Sequence, residues 1–120
     1  MSSSPLTRTF APDAGPRVQL RLARRGDIPA VTALLAGHGV KAAGLDVARL
    51  LSYDPAHRAV LAAFAPIEGT ETLVGLGAID LDPGADPDTL VVDERLTDGL
   101  GELIGLMLRE RAARHHRRVA

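Results

Sequence analysis

One stretch near the end of the chain constrains the fold more than any other. Thr89–Arg114 reads as a short strand, a glycine-bearing turn and a long amphipathic helix. The β-favouring run Leu90–Val92 opens it, and Gly99 and Gly101 mark the turn. Apolar residues then recur at helical spacing, at Leu100, Leu103, Ile104, Met107 and Leu108. A strand that feeds a helix through such a turn directs the free N–H groups of the helix into one concavity, which is typical of phosphate-binding sites.

The residues upstream predict one strand followed by two helices. Apolar and polar residues alternate over Val18–Ala23, which predicts a half-buried strand. Asp27 is a candidate N-cap for a helix that ends at Gly37–Gly39, where glycine is a favoured C-cap. Asp46 is a candidate cap for a second, short helix that ends near Asp54–Pro55. The apolar positions expected to face the core are Ile28, Val31, Leu34, Leu35, Val47, Leu50 and Leu51.

Two further strands are predicted between these helices and the Thr89–Arg114 stretch. Arg58–Ala65 is bracketed by prolines, and Thr72–Leu81 follows it after a hairpin turn at Ile67–Glu71. In the second of these strands we expect Val74, Leu76 and Ala78 on one face, and Leu73, Ile79 and Leu81 on the other. Gly75 and Gly77 predict a bulge or a close neighbour at that point of the strand.

Length and composition bound the classes of protein to which the chain can belong. Its 120 residues predict a single domain over residues 17–120, preceded by a flexible lead-in at residues 1–16 that is rich in Ser and Pro. The absence of cysteine excludes disulfides and thiolate metal sites, and it predicts a cytoplasmic location. One Tyr and two Phe argue against a base-stacking nucleic-acid platform, and no apolar run is long enough to predict a membrane span.

The order of elements, β-α-α-β-β-β-α, together with the glycine turn, resembles the GNAT family of acyl-CoA-dependent N-acetyltransferases. That family runs Val, four residues, Arg or Gln, two residues, Gly, one residue, and Gly or Ala before a helix. Here Val91 leads, Leu96 stands at the Arg or Gln position, and Gly99 and Gly101 occupy the two small positions. The resemblance implies an α/β fold with a mixed, mainly antiparallel four-stranded sheet and packed helices.

The resemblance also implies an activity, the transfer of an acyl group from acyl-CoA, with acetyl-CoA as donor, to an amine. It implies that the pantetheine arm contacts Val91, Val92 and Asp93. It implies that the pyrophosphate is held by the turn and the helix start, at Leu96, Thr97, Asp98, Gly99, Leu100 and Gly101. An acyltransferase of this kind needs a base. Glu94 is the best-placed carboxylate for this role, and Asp93 is the second choice.

Departures from the family pattern support an alternative, a non-catalytic interaction module. Leu96 lacks the polar side chain, Thr97 replaces a frequent Gly, and Asp98 places a negative charge where a pyrophosphate would lie. The family continues with further strands after its long helix, whereas this sequence stops soon after it. The strand edge at 89–93 would then be open, so we expect a homodimer or a partner chain to cover it.

Three other patterns carry alternatives that the sequence leaves open. An acidic loop could be a calcium-binding loop or a solvated hairpin loop. Its spacing lacks the Gly and Glu that a helix-loop-helix calcium site needs. Its acids are Asp80, Asp82, Asp86 and Asp88. The basic end of the long helix either complements the helix dipole or contacts a phosphate. His38 either faces the acceptor side of a GNAT-like site or lies in a surface loop.

Overall fold

Five strands pair in chain order to form one antiparallel sheet, with helices packed on both of its faces. The computed structural model describes residues 8–10, 17–38, 44–82, 84–93 and 99–119. The strands are β1 (Arg8–Phe10), β2 (Val18–Leu22), β3 (Arg58–Ile67), β4 (Thr70–Asp80) and β5 (Thr89–Val92). The helices are α1 (Ile28–Gly37), α2 (Gly44–Leu50) and α3 (Leu100–Val119), and a 3₁₀ turn (Arg25–Asp27) precedes α1. The α/β class and the predicted element order from β2 onward are confirmed, but every described pairing is antiparallel, so the expected mixed sheet is wrong.

The fifth strand, β1, lies within the lead-in that was expected to be flexible. Arg8–Phe10 pairs with β2, with Arg8 opposite Leu20 and Phe10 opposite Val18. The remaining residues of 1–16 lie outside the described residues. A three-residue strand is too short to show an alternation of apolar and polar residues in the sequence. Its backbone groups are ordered by pairing with the edge of β2, which would otherwise be exposed.

The core consists of two layers, one on each face of the sheet. Along β3, Leu61 and Ala63 face α3, whereas Val60, Ala62 and Phe64 face α1 and α2. This strand is therefore buried almost from end to end. Three α3 side chains from the predicted stripe, Leu100, Ile104 and Leu108, are fully buried, and each contributes roughly 1.5–3 kcal/mol through burial.

A β-bulge in β4 exchanges two of the predicted faces. Ala63 pairs with Gly75, but Phe64 pairs with Leu73, so Val74 is the extra residue of the strand. As a result Leu73 joins Leu76 on the α1/α2 face and Val74 joins the α3 face, opposite to the expectation from strict alternation. The bulge expected from the two glycines is confirmed.

Gly75 and Gly77 also have the close neighbour that their position predicted. A Cβ atom at Gly77 would lie 2.5 Å from Ile104 Cγ2 and 2.9 Å from Leu108 Cδ1, and one at Gly75 would lie 2.9 Å from Ile104 Cδ1. Helix α3 therefore packs directly on the backbone of β4. This contact fixes where the first turn of α3 lies relative to β5.

The start of α1 differs from the predicted cap. Asp27 occupies the N-cap position, but its carboxylate makes no cap to α1. It accepts two hydrogen bonds from Arg21 (2.9 and 2.8 Å) and one from the Arg24 N–H (2.9 Å). Burial raises the pKa of Asp27, but these hydrogen bonds and the nearby positive charges outweigh burial and hold the pKa below its ordinary range. Helix α2 begins at Gly44, so Asp46 lies inside the helix and does not precede it.

Candidate functional site

The outer edge of β5 carries backbone groups that no described strand pairs. Asp93 donates its N–H to Val74 O across the β4 side (2.9 Å), and Val91 lies opposite Leu76 in the same register. Because N–H and C=O groups alternate in direction along an antiparallel strand, the groups of Leu90 and Val92 point to the open edge. This edge forms one side of the candidate site, and its outward backbone groups can form hydrogen bonds with an extended molecule lying beside it.

The first turn of α3 lies next to that edge. Gly99 has a φ of +79°, which a residue with a side chain adopts only with strain, and its carbonyl accepts the N–H of Leu103 (3.1 Å). Between the helix start and the strand lies a cavity of about 300 Å³, which we call the edge cavity. It is lined by His38, Leu90, Val91, Val92 and Gly101. The positive end of a 20-residue helix therefore adjoins the open strand edge.

A second cavity, which we call the acidic cavity, lies between the end of α1 and the hairpin end of β4. Its volume is about 310 Å³. Its lining residues are Ala30, Ala33, Leu34, Gly37, His38, Glu71, Thr72, Leu73 and Asp93. Among the described residues the lining contains two carboxylates and no Lys or Arg, so this part of the cavity favours a cationic group beside a small apolar surface.

His38 belongs to both cavities and joins them. Its Nδ1 lies 3.0 Å from Leu34 O and its Nε2 lies 3.0 Å from Val92 O. Both partners are carbonyl oxygens, which can only accept, and a neutral imidazole has a single N–H to donate. Both contacts are hydrogen bonds at the same time only when the ring carries two protons, so the two carbonyls together favour the imidazolium. In either form the ring links the end of α1 to the edge of β5.

The structure brings together part of the site predicted from the sequence. Val91, Val92 and Gly101 line the edge cavity, and Asp93 lines the acidic cavity. The side chain of Leu100 is fully buried against the sheet, whereas the predicted contact to the pyrophosphate is through backbone N–H groups, and Leu100 is the first residue of α3. The other predicted residues, Glu94, Leu96, Thr97 and Asp98, lie outside the described residues.

Sequence reasoning offered His38 as one of two alternatives, a residue that faces the acceptor side, but it missed the contact of His38 with Val92 and the presence of Glu71 in the site. The hydrogen bond between His38 and Val92 spans 54 residues of chain, a separation that local periodicity does not report. Glu71 lies in the β3–β4 hairpin, where a charged residue is ordinary. The only local signal was the placement of His38 between two glycines at the end of α1.

The acidic loop is used for ion pairs. Arg58 binds both carboxylate oxygens of Asp88 (2.7 and 2.8 Å) and one of Asp80 (2.8 Å). The hydrogen bonds from Arg58 hold the pKa of Asp88 below its ordinary range despite partial burial. On the basic end of α3, Arg109 binds Asp86 (3.1 Å). Within the described ranges, no three His, Asp or Glu side chains are grouped so as to hold a metal ion.

None of the described helices combines the length and the apolarity that crossing a bilayer requires. Comparisons of the chain with protein-family models, curated proteins and solved structures gave no match.

Proposed function

We propose that the chain is a GNAT-like N-acyltransferase that moves an acyl group from acyl-CoA, with acetyl-CoA as donor, to an amine. One observation carries the proposal: two cavities of similar size meet at His38, one along an open strand edge and the other lined by carboxylates. A transfer between two substrates needs two adjoining sites with a shared boundary where the reacting atoms meet. We place the donor in the edge cavity and the acceptor in the acidic cavity.

The edge cavity suits the donor because the pantetheine arm of acyl-CoA is an extended chain with amide groups. Those amides can pair with the outward backbone groups of Leu90 and Val92, as an added strand would. The phosphates at the other end of the donor carry negative charge, which the N-terminus of α3 favours. Gly101 has no side chain, so the end of the edge cavity beside α3 stays accessible.

The acidic cavity suits an amine acceptor. Glu71 and Asp93 attract an ammonium group, and Leu34 and Leu73 contact the carbon skeleton beside it. Asp93 is then positioned to accept the proton that the amine loses on attacking the thioester carbonyl. Glu94, the first-choice base from the resemblance, follows directly in the chain and remains an alternative to Asp93 in this role. A cytoplasmic location is part of the same proposal.

The proposal is tested by titrating acetyl-CoA into the chain calorimetrically and by repeating the titration with Val92→Pro and Val92→Ala. Binding is expected with a dissociation constant of about 10–100 µM, or about −7 to −5.5 kcal/mol. Val92→Pro removes an outward N–H without removing a bond to β4 and is expected to weaken binding about tenfold. Val92→Ala keeps that N–H and is the matched control, expected to bind within about threefold of wild type.

Absence of acetyl-CoA binding would contradict the proposal. Equal binding by Val92→Pro and Val92→Ala would contradict the placement of the donor along the edge. Urea unfolding of each variant establishes that the fold is kept.

A second candidate function, a non-catalytic interaction module, is favoured by the apolar surface beside the same edge. Leu90 is 48% exposed on this strand and would be covered by a chain that pairs with β5. We propose a homodimer or a partner chain on this edge as the alternative use of the site. Light scattering on the sample used for calorimetry separates the two: a stable dimer that does not bind acetyl-CoA supports the module.

A further inference from the structure

His38 lies at the boundary between the two cavities. Its Nε2 is 3.0 Å from Val92 O and its Nδ1 is 3.0 Å from Leu34 O. Because carbonyl oxygens only accept, both contacts are hydrogen bonds at the same time in the doubly protonated ring, and this pair of acceptors favours that form. An imidazolium is a proton donor at neutral pH, and here it lies where a donor in one cavity would meet an acceptor in the other.

We propose that His38 is the general acid of the transfer, donating its Nε2 proton to the sulfur that leaves the acyl group. This inference rests on the proposed function. The amine nitrogen forms a bond to the thioester carbonyl carbon, and the carbon–sulfur bond breaks with its electron pair remaining on sulfur. The Nε2 proton passes to that sulfur, giving a thiol, while the proton that the neutral amine loses on forming the amide passes to Asp93. An acceptor that enters as an ammonium ion first gives one proton to solvent. Asp93 then releases its proton to solvent, and the ring takes one up from solvent.

Binding of the donor also releases the proton donor from its present partner. The carbonyl of Val92 is one of the outward groups of the strand edge, so an extended ligand that pairs with β5 competes with His38 for it. Once displaced from Val92 O, the Nε2–H faces the edge cavity and can reach a reacting atom there. Nδ1–H keeps its bond to Leu34 O and holds the ring at the end of α1.

Two acidic side chains lie in the same cavity as the ring. Asp93, directly after β5, and Glu71 on β4 line the acidic cavity with His38. Helix α1 itself contains no charged residue between Ile28 and Gly37. The charged groups described beside the ring are therefore carboxylates from the β4 and β5 side of the cavity.

The test measures thiol release from acetyl-CoA with 1,4-diaminobutane as the acceptor probe, for wild type, His38→Gln and His38→Ala. Gln keeps an N–H that can bond to Val92 O but has no proton to transfer. We expect His38→Gln to lower kcat about 100-fold, the lower end of the usual range for general acids because a thiolate already leaves readily, with KM for acetyl-CoA within about threefold of wild type. His57→Gln, which changes an exposed histidine paired with Asp54, is the control and is expected to match wild type.

The pH profile distinguishes proton transfer from a structural role. Wild-type kcat is expected to fall at high pH as the ring loses its second proton, and His38→Gln is expected to lose this dependence. Added imidazole is expected to restore part of the activity of His38→Ala. A kcat for His38→Gln within twofold of wild type would overturn the role of His38 alone, whereas no thiol release by the wild-type chain would overturn the proposed function and this inference together.

Discussion

Replacing Gly77 with Ala should push α3 away from the backbone of β4, on which it packs, and so destabilise the fold. The added Cβ would lie 2.5 Å from Ile104 Cγ2 and 2.9 Å from Leu108 Cδ1. The Cγ2 methyl of a β-branched side chain is fixed by χ1, so it cannot move aside without a change of rotamer or a shift of the helix. Relief must therefore come from moving α3, whose Leu100, Ile104 and Leu108 are fully buried.

The expected magnitude follows from two opposing effects. Overpacking a well-filled core costs about 1–3 kcal/mol. Replacing a glycine restricts the unfolded chain and returns about 0.4–1 kcal/mol. We therefore expect Gly77→Ala to lower the free energy of unfolding by about 1–2 kcal/mol, with a fall in Tm of roughly 3–6 °C per kcal/mol for a domain of this size.

Gly105→Ala, on α3 itself, is the matched control for Gly77→Ala on β4. Its nearest contact would be Arg109 Nη1 at 3.2 Å, the far end of a flexible side chain, so the clash is easily relieved. Because alanine is the better helix former, we expect Gly105→Ala to raise the free energy of unfolding by about 0.5–1 kcal/mol. Urea unfolding at pH 7 measures both variants. If Gly77→Ala is as stable as wild type, the direct packing of α3 on the β4 backbone is wrong.

Two ion pairs give further predictions. Asp27→Asn should lower the free energy of unfolding at pH 7 by about 1–3 kcal/mol, because it leaves the half-buried Arg21 guanidinium without its charged partner. The pKa of Asp27 in the folded protein lies below its ordinary value of 3.8, so its contribution to stability is full above about pH 4 and is lost as the pH falls through the folded pKa. Urea unfolding at pH 7 and pH 3 should show that the difference in free energy of unfolding between wild type and Asp27→Asn shrinks at the lower pH. A difference that stays constant would refute this assignment. Arg58→Lys should lower the free energy of unfolding by about 0.5–1 kcal/mol, because lysine cannot bind both oxygens of Asp88, and an unchanged urea midpoint would contradict this.

The sequence predicted most of the architecture because periodicity reports which residues a single element buries. The stripe on α3 and the alternation on β2 led to the right elements, and the two glycines of β4 led to the bulge and the close helix. Strict alternation failed at Leu73 and Val74, because a bulge is a property of a strand pair and not of one strand. The strand at Arg8–Phe10 was missed for a similar reason, since its order comes from pairing with β2.

The candidate site was predicted less completely, because it depends on contacts between distant parts of the chain. Val92 and Asp93 are proposed because the strand and glycine turn resemble the acyl-CoA-binding segment of the GNAT family. The contact between His38 and Val92 could not be predicted from the sequence, since it requires the end of α1 to lie at the edge of β5. The meeting of Asp93 with Glu71 in one cavity likewise follows from strand register, which single-sequence patterns do not give.

The bulge at Val74 has a consequence for how insertions and deletions would act on this fold. In a regular strand, losing one residue turns every side chain beyond it to the opposite face of the sheet. In β4, losing Val74 would instead place Gly75 directly after Leu73, as their partners Ala63 and Phe64 already are, so each remaining side chain would keep its face. The loss would be confined to one buried valine. Val74 is thus the position at which β4 can change length without turning its core residues outward.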